Sequence, residues 1–156
     1  VLESYYEKGL FRAIGVSNFQ IHHLDSLLET AKIIPMMNQV ECHPLLSQKG
    51  LQNYLKSKNI QMTSYGPFAK GKIFEEPTST TLKSIADKYN ATITQVVIAW
   101  GLKRGIVMIP KSVHEDRLLE NFKGMELELS DLDMENIDSL NRGARVYTDP
   151  DNNPAT

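Results

Sequence analysis

The chain has 156 residues, enough for one ordinary domain with a sizeable core. Its 41% hydrophobic and 23% charged content is that of a soluble globular protein, and a net charge of −2 excludes the broad basic surface that nucleic acid or acidic lipid requires. A lone cysteine, Cys42, excludes an internal disulfide framework, and no apolar run approaches the roughly 20 residues that cross a bilayer, so the expectation is a cytoplasmic chain without nucleic-acid or membrane partners. The sequon "NAT" at Asn90–Thr92 reads as chance in the absence of a secretory signal.

The chain opens at Val1 inside a helical stretch, "LESYYEKG", that closes on Gly9 and reads as the middle of something longer. Four β-rich runs follow, each leading into a helical pattern. "RAIGVS" (Arg12 to Ser17) precedes apolar residues spaced at helical rhythm from Ile21 to Ala31. "MMNQVEC" (Met36 to Cys42) precedes a helix carrying Leu51, Tyr54 and Leu55, and "IQMTSY" (Ile60 to Tyr65) ends at Gly66-Pro67. Two helices are then expected, one in "STTLKSIADKY" capped by Ser79 or Thr80, the other in "TQVVIAWGLKR" opening on Thr94. "GIVMIP" (Gly105 to Pro110) is the fourth strand. "EDRLLENF" continues as helix to about Gly124, and "SDLDMENIDSLN" begins on a capping box with Asp133 in place of glutamate. The end, "TDPDNNPAT", is polar, Pro-rich and expected to be loose.

Repeated strand–loop–helix order implies parallel strands with crossover helices, in a β/α barrel or a doubly wound sheet. A complete (β/α)8 barrel takes about 250 residues, so four units make half of one and leave two open parallel edges. No G-x-G-x-x-G follows any strand and no Walker A sequence occurs, which excludes the two commonest nucleotide devices.

Chemistry in such folds gathers where strands end. Those ends carry Ser17 and Asn18, Gln39 to His43, Tyr65 with Gly66, and Lys111 with Ser112. Ser17 and Asn18 suit either a helix cap or a grip on a ligand amide. Gln39, on a mostly apolar strand, needs a polar ligand or a buried network. Cys42 and His43 are adjacent on a strand, point to opposite faces, and so make a poor nucleophile–base pair. Glu41 suits a structural hydrogen bond. His22 and His23 read as surface residues because no third ligand stands at a helpful spacing. Tyr65 is either core or a platform for a planar ring. The segment "IPKSVHEDRLLEN" is the most specific: Lys111 brings a point charge, Ser112 a donor and Arg117 a fork, at a strand-to-helix turn. Glu120 and Asn121 share a helical face with Arg117. The bland alternative is a basic loop with an Arg–Glu helical pair.

In order and spacing, "AIGVSNF", "NQVECHP", "SYGP", "IPKSV" and "R-x-x-EN" resemble the aldo-keto reductases, over residues 1–143, with a polar tail over 144–156. "SYGPFAKGK" and "DPDN" look most like the branch related to 2,5-diketo-gluconate reductases. The resemblance implies the last four units of a (β/α)8 TIM barrel and an NADP(H)-dependent reduction of small carbonyl substrates. It implies that Ser17, Asn18 and Gln39 hold the nicotinamide carboxamide and that Tyr65 stacks on its ring. The loop of Gly66, Pro67 and Phe68 to Gly71 would pass the pyrophosphate. Lys111, Ser112 and Arg117 would take the 2′-phosphate and Glu120 and Asn121 the adenine, with Val113 also among the cofactor-binding residues. Gly66 stands where many members have serine and Phe68 where leucine is common. The family's acid–base Asp, Tyr, Lys and His belong to the first half of the barrel and match nothing in this chain, so no catalytic residue is assigned. The resemblance also admits a non-catalytic NADP(H)-binding relative, and outside the family a phosphate-binding isomerase barrel remains an alternative. The complete enzyme is expected to be monomeric, and a half-barrel to self-associate through its open edges.

Overall fold

In the computed structural model, residues 1–152 are described; the last four residues of the expected tail, 153–156, lie outside them. The elements alternate as anticipated: α1 (Leu2–Glu7), β1 (Gly15–Ser17), α2 (Ile21–Leu28), β2 (Met37–Glu41), α3 (Lys49–Ser57) and β3 (Gln61–Tyr65). A 3-10 segment (Ala69–Phe74) follows, then α4 (Thr78–Lys88), α5 (Ile93–Lys103), β4 (Val107–Met108), α6 (Glu115–Lys123) and α7 (Asp131–Asp138). The strands form one four-stranded parallel sheet in the order β1-β2-β3-β4, with Gly15, Val16 and Ser17 facing Met37, Asn38 and Gln39. Strand β4 is the shortest. Beyond it the Ile109 N–H donates to Ser64 O (3.1 Å), and the next residue, Pro110, has no N–H to offer.

Two helix starts differ from the sequence expectation. Helix α4 begins after Pro77 rather than on a Ser79 or Thr80 cap, because both hydroxyls donate to the Glu76 carboxylate instead. Helix α5 is capped by Thr92, two residues before the expected Thr94: Gln95 N–H donates to Thr92 Oγ1 (3.2 Å) and Thr92 N–H to Gln95 Oε1 (3.0 Å). The glutamine three residues on is what selects Thr92.

The chain folds as two compact units. The first comprises Val1–Val40, Gln48–Thr63 and the described residues from Thr148. Its core is Leu24 of α2, Val40 of β2, Leu51 and Leu55 of α3, and Ile60 and Met62, all buried. Helices α2 and α3 are joined by Tyr54, whose hydroxyl donates to Asp25 at 2.5 Å. Glu3 of α1 accepts the N–H groups of Lys32 and Ile33 (2.7 and 2.8 Å), tying the first helix to the loop before β2. Pro150, expected in a loose tail, is buried within a 3-10 turn over Pro150–Asn152.

The second unit comprises Glu41–Ser47 and Ser64–Tyr147. It is organised around α5, where Val96 to Gly101 are all buried. Continuous burial on a helix means neighbours on every side, and a glycine supplies one close approach. A Cβ at Gly101 would stand 2.1 Å from the Met108 sulfur, so a larger residue there would have to displace the Met108 side chain. Trp100 is fully buried; its indole N–H donates to Asp138 (2.9 Å) and the Arg104 guanidinium lies 4.4 Å from the ring centre.

Ser130 and Asp133 form the expected capping box at the start of α7. Asp133 is buried and also accepts from the Lys88 ammonium (2.8 Å) and the Tyr89 hydroxyl (2.5 Å). Burial opposes its ionisation, but Lys88, Ser130 and Tyr89 outweigh that and hold the carboxyl far below the usual range. A lowered folded-state pKa stabilises above the ordinary carboxylate range, and the gain is lost as pH falls through that range and below it. Asp133→Asn is therefore expected to destabilise the protein by about 2 kcal/mol at neutral pH. In denaturant titrations the gap to wild type should close progressively below about pH 4; a gap that stays constant with pH would contradict the assignment.

Candidate functional site

In the first unit, the ends of β1 and β2 are bound to each other. Ser17 Oγ donates to the Gln39 carbonyl (3.0 Å), which also accepts the Asn18 N–H (2.9 Å). Ser17 therefore does not cap α2; the N-cap is Gln20, whose N–H donates to His23 Nδ1 (3.1 Å). Asn18 adopts a left-handed backbone (φ 62°), which turns the chain off the strand, and asparagine tolerates that conformation better than most residues. Asn38, which the sequence reading passed over, fixes the turn from below. It is fully buried, donates to Phe19 O (2.8 Å) and accepts from Phe19 N–H (3.4 Å). The side chain of Gln39 is half-buried on the opposite face of β2.

In the second unit, Tyr65, Gly66, Pro67 and Phe68 line a cavity of about 290 Å³, together with Lys70, Ile109, Lys111 and Tyr147. The backbone here is sharply bent: Gly66, Ala69, Lys70 and Gly71 all have positive φ (61°, 48°, 52° and 93°). Two of these are not glycine, and each costs about 1 kcal/mol or more. A Cβ at Gly66 would stand 2.5 Å from the Tyr147 ring, so the ring occupies the space a larger residue would need. The rings of Tyr65 and Tyr147 meet edge to face, 5.1 Å apart at 86°. Lys70 belongs to the expected Gly66–Gly71 loop, whereas Tyr147 is new to the site, because nothing in spacing links "RVY" to "SYGP".

A second cavity of the same unit, about 310 Å³, is lined by Phe68, Lys111, Ser112, Arg117, Glu120 and Asn121. The structure thus gathers five polar residues of the loop and of α6 about one space. It adds Phe74 and Thr94, neither of which the sequence marks as a site residue. Lys111 and Phe68 line both cavities. Val113 points elsewhere, with 81% of its surface exposed. Glu120 is not spent on Arg117: it accepts the Thr92 hydroxyl at 2.7 Å. Neither Lys111 nor Arg117 has an ion-pair partner among the described residues. Ser112 Oγ accepts the His114 N–H (3.1 Å) and donates to the His114 carbonyl (3.2 Å), shaping the turn into α6. Two cations without carboxylate partners, beside a helix start and a hydroxyl, fit a doubly charged phosphate.

The remaining candidates prove structural. Cys42 is buried, and its burial pushes the thiol up to about 12, only partly offset by Arg104, so it is no nucleophile. His43 donates from Nε2 to Glu41 Oε1 (2.9 Å), the structural bond expected of Glu41. Glu41 also accepts the N–H groups of Val146 (2.7 Å) and Tyr147 (3.3 Å) and lies 3.5 Å from Arg145. Burial works against its ionisation, and the bonds from His43 and Val146 overcome it, leaving its pKa below the ordinary value. In the first unit, His22 and His23 do have a third partner, contrary to the sequence reading: Asp151, 3.3 and 3.6 Å from their Nε2 atoms. It arrives from the far end of the chain, where spacing gives no sign of it. Because His23 Nδ1 accepts from Gln20, the neutral ring carries its proton on Nε2 and turns it toward Asp151, away from metal ligation.

This architecture has known counterparts. The aldo/keto reductase family model matches residues 1–142, and the chain belongs to that family. It is 47% identical to the glyoxal reductase of Bacillus subtilis, over 96% of this chain and 53% of that protein. It is 40% identical to the methylglyoxal reductase DkgA of Escherichia coli, over 93% of this chain and 52% of that protein. An aldo-keto reductase from a Medee basin deep-sea metagenome superposes with a TM-score of 0.92 and 43% identity, covering 97% of this chain and 56% of that one. A silkworm (Bombyx mori) aldo-keto reductase solved as a complex with NADPH does so with a TM-score of 0.86 and 33% identity, covering 94% and 47%. The chain spans about half the length of these relatives, so its sheet is part of a (β/α)8 barrel. Among the described residues no helix is long and apolar enough to cross a membrane.

The contact at Gly66 can be tested directly. Gly66→Ala is expected to destabilise by about 1–3 kcal/mol, from the positive φ and the clash with Tyr147. In a double-mutant cycle with Tyr147→Ala, measured by denaturant unfolding, part of that loss should be recovered. Strict additivity would show that the ring does not press on position 66.

Proposed function

We propose that this chain supplies the cofactor-holding half of an NADPH-dependent reductase acting on small aldehydes and ketones. The observation that carries the reading is the cavity at the start of α6, where Lys111 and Arg117 face one space with no carboxylate partner. Such a pair suits the 2′-phosphate that distinguishes NADPH from NADH, since a dianion satisfies both charges at once. Glu120 and Asn121, on the same cavity wall, offer an acceptor and an amide to the adenine edge. The adjoining cavity, bounded by Gly66, Pro67 and Phe68, suits the pyrophosphate, and the half-buried Tyr65 ring suits the nicotinamide.

When bound, NADPH supplies a hydride to the carbonyl carbon. This chain's residues fix its charged end and orient its ring; positioning of this kind contributes through proximity rather than through proton transfer. The family's acid–base Asp, Tyr, Lys and His have no match in the chain, and its own Tyr65 and Lys111 stand at cofactor positions. The kinship with glyoxal and methylglyoxal reductases supports small, reactive carbonyl compounds as the substrate class.

Two outcomes test the reading. In the complete enzyme, Lys111→Met together with Arg117→Leu should raise the NADPH dissociation constant by about two orders of magnitude. The NADH constant should change little in the same fluorescence titration, and equal losses for both would sink the assignment. The 156-residue chain by itself should show no NADPH oxidation with a generic aldehyde; measurable turnover would place catalytic residues within it.

A further inference from the structure

The second unit contains a chain of contacts that runs from a buried carboxylate to the platform ring. Glu41 is fully buried and places its acceptors on one short segment: the Val146 N–H at 2.7 Å, the Tyr147 N–H at 3.3 Å and the Arg145 guanidinium at 3.5 Å. That fixes the backbone of residue 147 at both its own N–H and its neighbour's. The Tyr147 ring then meets Tyr65 edge to face at 5.1 Å and fills the space beside Gly66 that a Cβ would otherwise take. On its face sits the Lys70 ammonium, 4.3 Å from the ring centre. The ring is therefore held by backbone anchoring, an aromatic edge, a glycine notch and a cation. Tyr147 also lines the same cavity as Tyr65 and Lys111.

We infer that Tyr147 is a positioning residue for the nicotinamide end of the cofactor: seated by Glu41, it fixes the plane of Tyr65 and thereby the ring stacked upon it. The inference rests on the proposed function, because it gives Tyr65 the role of platform. The work is done by the aromatic ring, and the geometry assigns the hydroxyl no part in it. An edge-to-face pair contributes directional stabilisation beyond burial, which is what a platform ring needs to resist tilting. Glu41 acts one step further back, since loss of its charge loosens the segment that carries Tyr147.

The test uses two ligands on the complete protein: NADPH, and adenosine 2′,5′-bisphosphate, which has the phosphate end but no nicotinamide. Tyr147→Leu, which keeps bulk without the aromatic edge, should weaken NADPH about three- to tenfold. It should leave the bisphosphate constant within about twofold, and kcat should fall along with NADPH affinity. Tyr147→Phe should behave as wild type in all three, and Glu41→Gln should shift in the same direction as Tyr147→Leu. Circular dichroism and a melting curve on each variant keep the comparison to folded protein; if Tyr147→Leu fails to fold, the Glu41→Gln and Tyr147→Phe pair decides. Equal weakening of both ligands, or no change in NADPH, would overturn the inference. Failure of wild type to bind the bisphosphate would instead overturn the proposed function, so the two failures are distinguishable.

Discussion

A carboxylate sealed from water is costly unless every oxygen is engaged, and in the second unit the Glu41 carboxylate sets that condition. Its partners include a histidine two residues on in the chain and the backbone of a segment more than a hundred residues away. Satisfying the charge therefore requires closing a long loop, and the loop brings Arg145, Val146 and Tyr147 to the end of β3. Once they are there, the conformation of Gly66 follows. A side chain at that position would collide with the ring, and the chain leaves the strand through a left-handed turn that glycine adopts without strain.

Much of the fold was legible because its signals are local. The Ser130–Asp133 box and the apolar run of α5 each sit within a dozen residues, and strand–helix alternation repeats down the chain; these elements form where the pattern put them, apart from two helix starts. The misplaced helix starts were competitions between nearby hydroxyls: Ser79 and Thr80 were drawn to Glu76, and Thr92 prevailed over Thr94 through Gln95. Such contests turn on side-chain geometry that composition does not encode.

The candidate site divides along the same line. Lys111, Ser112, Arg117, Glu120 and Asn121 lie within one loop and helix, and the structure does collect them about one cavity. The residues overlooked come from distant segments: Asn38 beneath Phe19, Asp151 beside His22 and His23, Phe74 and Thr94 beside the basic pair, Tyr147 against Tyr65. Each was visible as a residue and silent as a neighbour. The motif identifies what lines the cavity more readily than what holds those residues in place.

The Ser112 turn carries a thermodynamic implication for ligand choice. Its hydroxyl already donates to the His114 carbonyl and accepts from the His114 N–H, so it does not wait for a ligand unsatisfied. Offering that hydrogen to a phosphate exchanges one acceptor for another, a trade whose net value is small beside that of a new charged contact. On the proposed reading, discrimination at this end of the site is thus weighted toward the two cations. The serine hydroxyl thus serves first to hold the turn into α6.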